Sequence, residues 1–133
     1  MNKVDSGVIF ILLRDNKILM QQRDGNCSKF PFMWCIPGGG QEEKETYEET
    51  LLREVKEEYN IDLKIEQCEY FMNYYGDNNK VYICRINNNQ IPVLSEGLCM
   101  KWMTIPEIKN IKLGFNQENL VVYLEDYIIK NNV

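Results

Sequence analysis

Residues 4–13 form the first stretch rich in β-formers. The polar turn Arg14-Asp15-Asn16-Lys17 and a second apolar run over residues 18–20 follow it, which predicts a hairpin. After a polar loop around Asp24-Gly25-Asn26, residues 30–36 read as a strand. Pro37 halts it, and the glycines Gly38, Gly39 and Gly40 predict a tight loop. Residues 46–59 hold neither Gly nor Pro, and Leu51, Leu52, Val55 and Tyr59 recur at helical spacing, so a helix is predicted there. Asn60 stands where a helix end favours a residue tolerant of left-handed dihedrals. Residues 68–75 and 81–86 predict a second hairpin around Gly76-Asp77-Asn78-Asn79. A short strand over 98–104, a helical turn opened by Pro106, and a helix over 117–130 carrying Leu120, Val121, Leu124 and Ile128 complete the pattern. Strands broken by one central and one terminal helix imply a mixed sheet flanked by helices, an α/β or α+β sandwich. A length of 133 residues suits one domain spanning the chain.

Charge and composition narrow the chemistry. A formal charge of −5 without a dense Lys/Arg run lacks the footprint of a protein that grips long nucleic acid. No apolar run approaches the roughly 20 residues of a membrane helix, and the first residues lack the form of a secretory signal, so a cytoplasmic location is expected. The five cysteines (Cys27, Cys35, Cys68, Cys84, Cys99) are odd in number and never spaced Cys-x-x-Cys. Reduced thiols are expected rather than a disulfide framework, with Cys27 and Cys35 the one pair considered as a loop clip. Histidine is absent, which excludes Ser-His and Cys-His nucleophiles and imidazole metal sites.

At about 100° per residue, Glu54, Glu57 and Glu58 share one arc of the central helix, beside the arc of Leu51, Leu52, Val55 and Tyr59. Only Glu57 has a basic residue one turn away, Arg53, which leaves Glu54 and Glu58 facing each other without local compensation. A hard divalent cation would relieve that repulsion, because oxygen ligands without Cys or His favour Mg²⁺ or Mn²⁺. Mg²⁺ takes phosphate oxygens as co-ligands, which points to a phosphorylated substrate. Like charges four apart cost a helix only about 0.2–0.5 kcal/mol, however, so the helix alone favours a solvated acidic face.

The surrounding sequence decides between them. Gly39, five residues, Glu45, seven residues, then Arg53-Glu54-Val55-Lys56-Glu57-Glu58-Tyr59-Asn60-Ile61 closely resembles the Nudix box, with Asn60 in place of the usual glycine. Trp34-Cys35-Ile36-Pro37-Gly38-Gly39, Ile18-Leu19-Met20-Gln21-Gln22-Arg23, and Glu96-Gly97 with Trp102 resemble the flanking segments of the same family. The resemblance, to the MutT-like Nudix hydrolases, implies an α/β/α sandwich and a Mg²⁺-dependent cut in a nucleoside diphosphate linked to another group. It makes Glu54, Glu57 and Glu58 metal ligands, with the Gly38 carbonyl and Glu96 as further ligands. Glu54 is the candidate base, with Glu96 or another loop acid as the alternative.

Arg53 is expected to orient Glu54 or Glu57, the alternative being a surface pair with Glu49. Glu45 is expected to fix the loop to the helix. Arg23 is a candidate phosphate ligand, against the bland reading of a solvated strand end. Asn116 is a candidate for reading a nucleobase edge, against the safer reading of a helix cap. Tyr70, Phe71, Tyr74, Tyr75 and Tyr82 read as core rather than as base-stacking residues. The leading substrate is a nucleoside triphosphate, with an oxidised base included, cut to monophosphate and pyrophosphate. ADP-ribose or a nucleotide sugar is the alternative, and a nucleotide-sensing module without turnover the reading from another class. The partner is then a small nucleotide, and a monomer or homodimer is expected.

Overall fold

A computed structural model describes residues 6–74, 76–95 and 97–131. The chain forms strands β1 (Gly7–Arg14), β2 (Lys17–Gln22), β3 (Trp34–Cys35), β4 (Gly38–Gly40), β5 (Cys68–Asn73), β6 (Asn79–Arg85) and β7 (Cys99–Met103), with helices α1 (Tyr47–Tyr59), α2 (Ile105–Lys109) and α3 (Glu118–Asn131). The class is α+β, a mixed sheet flanked by helices. Contacts cluster into two compact units, Met1–Leu12 with Pro37–Glu96, and Leu13–Ile36 with Gly97–Val133. Among the described residues no helix is long and apolar enough to cross a membrane.

In the first unit β4 pairs antiparallel with β1, Val8 opposite Gly39 and Ile9 opposite Gly38. The glycine triplet is therefore a strand and not the predicted tight loop. Its lack of side chains explains this, since a Cβ on Gly38 would collide with the Val8 carbonyl oxygen. β5 and β6 form the predicted hairpin, with a register shift between Tyr70 and Met72. Thr50, Leu51, Val55 and Tyr59 are the buried face of α1, and Phe10 meets Tyr59 edge to face at 6.3 Å. Of the aromatic residues expected in the core, Tyr74 and Tyr82 are buried, Phe71 is half-buried and Tyr70 is exposed. Tyr75 lies outside the described residues.

In the second unit Asp15 and Asn16 both take left-handed dihedrals, φ 54° and 62°, which suits the tight turn joining β1 to β2. β2 pairs antiparallel with β3 and with β7. Only Trp34–Cys35 of the strand predicted over 30–36 is extended. Phe30 and Phe32 have φ of 51° and 62°, and backbone bonds between Arg23 and Met33 and between Phe32 and Arg23 fold the preceding loop back on itself. Thr104 and Glu107 form a capping box on α2, with Pro106 in its first turn. Leu120, Val121 and Leu124 are the buried face of α3. All five cysteines are free thiols.

Candidate active site

Helix α1 is built to start and stop sharply. Thr46 accepts a hydrogen bond from the Glu49 N–H at 3.1 Å, and Glu49 Oε1 accepts one from the Thr46 N–H at 2.8 Å. Glu49 is thereby committed to the cap. Asn60 takes the left-handed conformation (φ 56°, ψ 37°) and donates its N–H to the Lys56 carbonyl. Two further carbonyls near that end are satisfied by the following loop, Tyr59 by the Val93 N–H and Glu58 by the Ser95 N–H, both at 2.9 Å.

Arg53 organises the acids. Its Nε and Nη2 donate to the two oxygens of Glu45 at 2.7 and 3.0 Å, a fork on a carboxylate. Nη1 donates to Glu54 Oε2 at 2.8 Å and to Glu57 Oε1 at 3.2 Å, and Nη2 reaches the Gly40 carbonyl at 2.9 Å. The expected alternative, a surface pair with Glu49, is not the partner set that forms. Glu54 also has local compensation, contrary to the spacing argument, because the Arg53 side chain curls back along the helix to its immediate neighbour.

Glu45 completes the brace by accepting from the Glu42 N–H and the buried Thr50 hydroxyl, both at 2.9 Å. The Arg53 guanidinium, chiefly by hydrogen bonding, holds the Glu45 carboxyl down at about 2, and Glu45 in turn pushes Arg53 up. Glu54 moves the other way: burial raises it, and Arg53 only partly opposes that rise. Gly39 makes its placement possible, since a Cβ there would occupy the space of the Glu54 carboxyl group.

The candidate ligands are thus distributed unevenly. Glu54 is 13% exposed and tied to Arg53, Glu57 is 59% exposed on the same guanidinium, and one oxygen of Glu58 is buried. Gly38 lies in β4 opposite Ile9. Glu96 lies outside the described residues. As placed, no group of three or more Asp, Glu, Cys or His side chains among the described residues is gathered to hold a metal ion.

Arg23 and Asn116 belong to the second unit. Arg23 donates from Nε to the Lys29 carbonyl at 3.0 Å, and its guanidinium lies 4.9 Å from the centre of the Phe115 ring. Phe30 packs on Phe115 at 4.8 Å. Phe115 and Asn116 both have positive φ, 60° and 55°, in the turn Gly114–Asn116 that precedes α3. The Gln117 carbonyl accepts from the N–H groups of Leu120 and Val121, so the chain turns into α3 at Gln117.

Gln117 went unnoticed in the sequence. Its side chain is buried and clamps Ile36 from both sides, accepting from the Ile36 N–H at 2.6 Å and donating to its carbonyl at 2.9 Å. Nothing in its local sequence signals that role, since the partner is 81 residues away.

These features have counterparts in known proteins. A family profile described as NUDIX domain matches residues 2–124. Among solved structures, a MutT from work on the Aliivibrio salmonicida and Vibrio cholerae proteins aligns with a TM-score of 0.69 at 21% identity, covering 87% of this chain and 92% of that one. The NUDIX domain of Shewanella oneidensis NrtR, solved with ADP ribose, aligns at 0.67 and 20% identity over 92% and 86%. The Escherichia coli dihydroneopterin triphosphate pyrophosphohydrolase aligns at 0.66 and 20% identity over 94% and 95%. No curated protein matches the chain in sequence. At these identities the structures show the shared fold, and the profile shows the family: the chain belongs to the NUDIX domain family, and it is a hydrolase of phosphoanhydride bonds.

Proposed function

We propose that this chain is a Mg²⁺-dependent pyrophosphohydrolase that cuts a nucleoside triphosphate, with an oxidised base included, to the monophosphate and pyrophosphate. The observation that carries the reading is the Arg53 brace, which holds Glu45, Glu54 and Glu57 on one guanidinium beneath the glycine strand. Such an arrangement gathers one carboxylate from the loop before α1 and two from the helix itself around a single arginine.

The donor chemistry fits a hard divalent cation. Glu54, Glu57, Glu58, the Gly38 carbonyl and Glu96 offer oxygen alone, and the chain has no histidine. Glu57, more than half exposed, has the freedom to turn from Arg53 towards a cation. Bound Mg²⁺, or Mn²⁺ in its place, supplies charge neutralisation on phosphoryl oxygens and a more acidic water. Glu54 accepts the proton of the attacking water, Glu96 being the alternative base, and Arg53 keeps Glu54 in place. Glu45 fixes the loop to the helix. Arg23 is assigned to a substrate phosphate and Asn116 to the base.

ADP-ribose or a nucleotide sugar is the second reading, favoured by the ADP ribose bound to the NrtR domain of the same fold. A reducing, cytoplasmic setting suits the five free thiols. The substrate is a small nucleotide and not long nucleic acid, and the protein acts as a monomer or homodimer.

The test is release of phosphate or pyrophosphate with Mg²⁺ across nucleoside triphosphates, oxidised deoxynucleotides, ADP-ribose, nucleotide sugars and dinucleoside polyphosphates. Glu57→Gln, which keeps an oxygen to accept from Arg53 and loses only the charge of an exposed 3.2 Å pair, is the folded control. The variant is expected to lose at least roughly 10²-fold in turnover, as when one charge-stabilising group is removed. Wild-type turnover in Glu57→Gln would break the ligand assignment. Silence across the panel with Mg²⁺ binding intact would move the reading to a nucleotide-sensing module.

A further inference from the structure

The β5–β6 hairpin carries two thiols for which the hydrolase chemistry has no use. Cys68 opens β5, and Cys84 stands directly opposite it in antiparallel register. Opposed residues share one face of the ladder, with Cβ atoms about 4.5–5.5 Å apart. On the same face Tyr70 sits opposite Tyr82 and packs against it edge to face at 6.0 Å, which holds this register. The two sulfurs differ in access, for Cys84 is fully buried and Cys68 half-buried. They differ in chemistry too. The neighbouring Cys84 thiol draws Cys68 below the ordinary thiol value against the effects of burial and Glu66, while Cys68 and burial push Cys84 well above it; the Cys68 Sγ itself donates to the Lys64 carbonyl at 3.5 Å.

In the other ladders Cys35 stands opposite Gln21 and Cys99 opposite Gln22. Disulfide geometry asks for a Cβ separation of about 3.5–4.5 Å. Cys68, the first residue of its strand and preceded by the short turn Ile65–Gln67, is placed to close that small gap from a strand end.

We propose that Cys68 and Cys84 form a peroxide-reactive dithiol site that closes to a cross-strand disulfide, with Cys68 the attacking sulfur and Cys84 the resolving one. The Cys68 thiolate attacks one oxygen of a hydroperoxide. The S–O bond forms as the O–O bond breaks, and after protonation water or an alcohol leaves, with Cys68 converted to a sulfenic acid. The Cys84 sulfur then attacks the Cys68 sulfur; the S–S bond forms, the S–O bond breaks, and the thiol proton departs with the hydroxyl as water. The peroxide gains the two electrons that the two thiols lose.

The full chain, treated with hydrogen peroxide, alkylated in denaturant and mapped by mass spectrometry, tests this. The expected product has lost two hydrogens, yields a peptide joining Cys68 to Cys84, and reverts with dithiothreitol. Cys84→Ser should leave a dimedone-reactive sulfenic acid on Cys68, and Cys68→Ala should protect Cys84 from oxidation, with circular dichroism confirming that each variant is folded. Oxidation at Cys99 or Cys27 while Cys68 and Cys84 both remain open to alkylation overturns the proposal. A disulfide from Cys68 to a second chain overturns it as well.

Discussion

Arg53 and Arg23 each anchor one of the candidate regions, and they differ in how far along the chain their surroundings are assembled. Arg53 gathers Glu45, Glu54, Glu57 and the Gly40 carbonyl, none more than thirteen residues away, through charge-assisted bonds of 2.7–3.2 Å. Arg23 rests against Phe115, and β3, which pairs with β2 just before it, is held by the Gln117 clamp on Ile36. The first region is local electrostatics gathered by one arginine midway along α1 and the loop that precedes the helix. The second exists only when remote segments meet, so its integrity depends on tertiary contacts that no short motif encodes.

Gln117→Ala tests that dependence most severely. It leaves the Ile36 N–H and carbonyl without the amide that satisfies both, and such buried unpaired groups cost about 1–3 kcal/mol each. A loss of roughly 2–4 kcal/mol in urea unfolding is expected. Gln117→Glu sharpens the comparison by keeping the acceptor and removing the donor. A change within roughly 0.5 kcal/mol, the range of an ordinary surface substitution, would remove the clamp from the account of this unit.

Gly39→Ala probes the local region. The added methyl displaces the Glu54 carboxyl group, a flexible side chain whose restraint is Arg53. Turnover should fall roughly 10- to 100-fold, the range seen when a metal ligand loses its supporting contacts, while the unfolding midpoint moves little. Equal loss of activity and stability would mean that β4 itself, and not Glu54, is what the methyl disturbs.

This contrast also explains what could be read from the chain. The hairpin turn at Asp15-Asn16, the span of α1, its left-handed end at Asn60 and the spacing of the acids follow from local periodicity and capping, and each stands in the structure. Gly38–Gly40 and residues 30–36 depart from the local pattern for opposite reasons. A glycine run is a strand here because β1 and Glu54 come close enough to exclude side chains, and Phe30 and Phe32 are forced left-handed by backbone bonds that spacing cannot foresee. The acids of the candidate site are legible in the spacing, but spacing offers Arg53 one partner at a time, whereas its guanidinium holds Glu45, Glu54 and Glu57 together.

Acid should weaken the Arg53 brace in a defined window. Glu45 is held at about 2 in the folded protein against an ordinary value of 4.5. Its carboxylate therefore stabilises the fold fully above 4.5, and the contribution disappears as pH falls from 4.5 through about 2. Glu45→Gln should cost about 1–2 kcal/mol near neutrality, the scale of a charge-assisted contact that remains partly hydrated. The gap between the variant and the wild type in urea midpoints should narrow through that window. A gap independent of pH would show that Glu45 acts by shape and not by charge.

The smallest effect belongs to Asn60→Gly, which restores the residue the Nudix box usually carries. Asn60 already holds φ 56° and donates its N–H to Lys56, and the carbonyls of Tyr59 and Glu58 are satisfied by the backbone of Val93 and Ser95. None of these bonds needs the Asn side chain. Glycine removes the Cβ penalty of the left-handed conformation, but it also widens the unfolded ensemble, and the two terms are each about 1 kcal/mol. The net gain should therefore be about 0.5 kcal/mol or less, with turnover unchanged. Should stability hold while turnover moves by more than about twofold, the Asn60 amide takes part in the site and the cap cannot be regarded as structural alone.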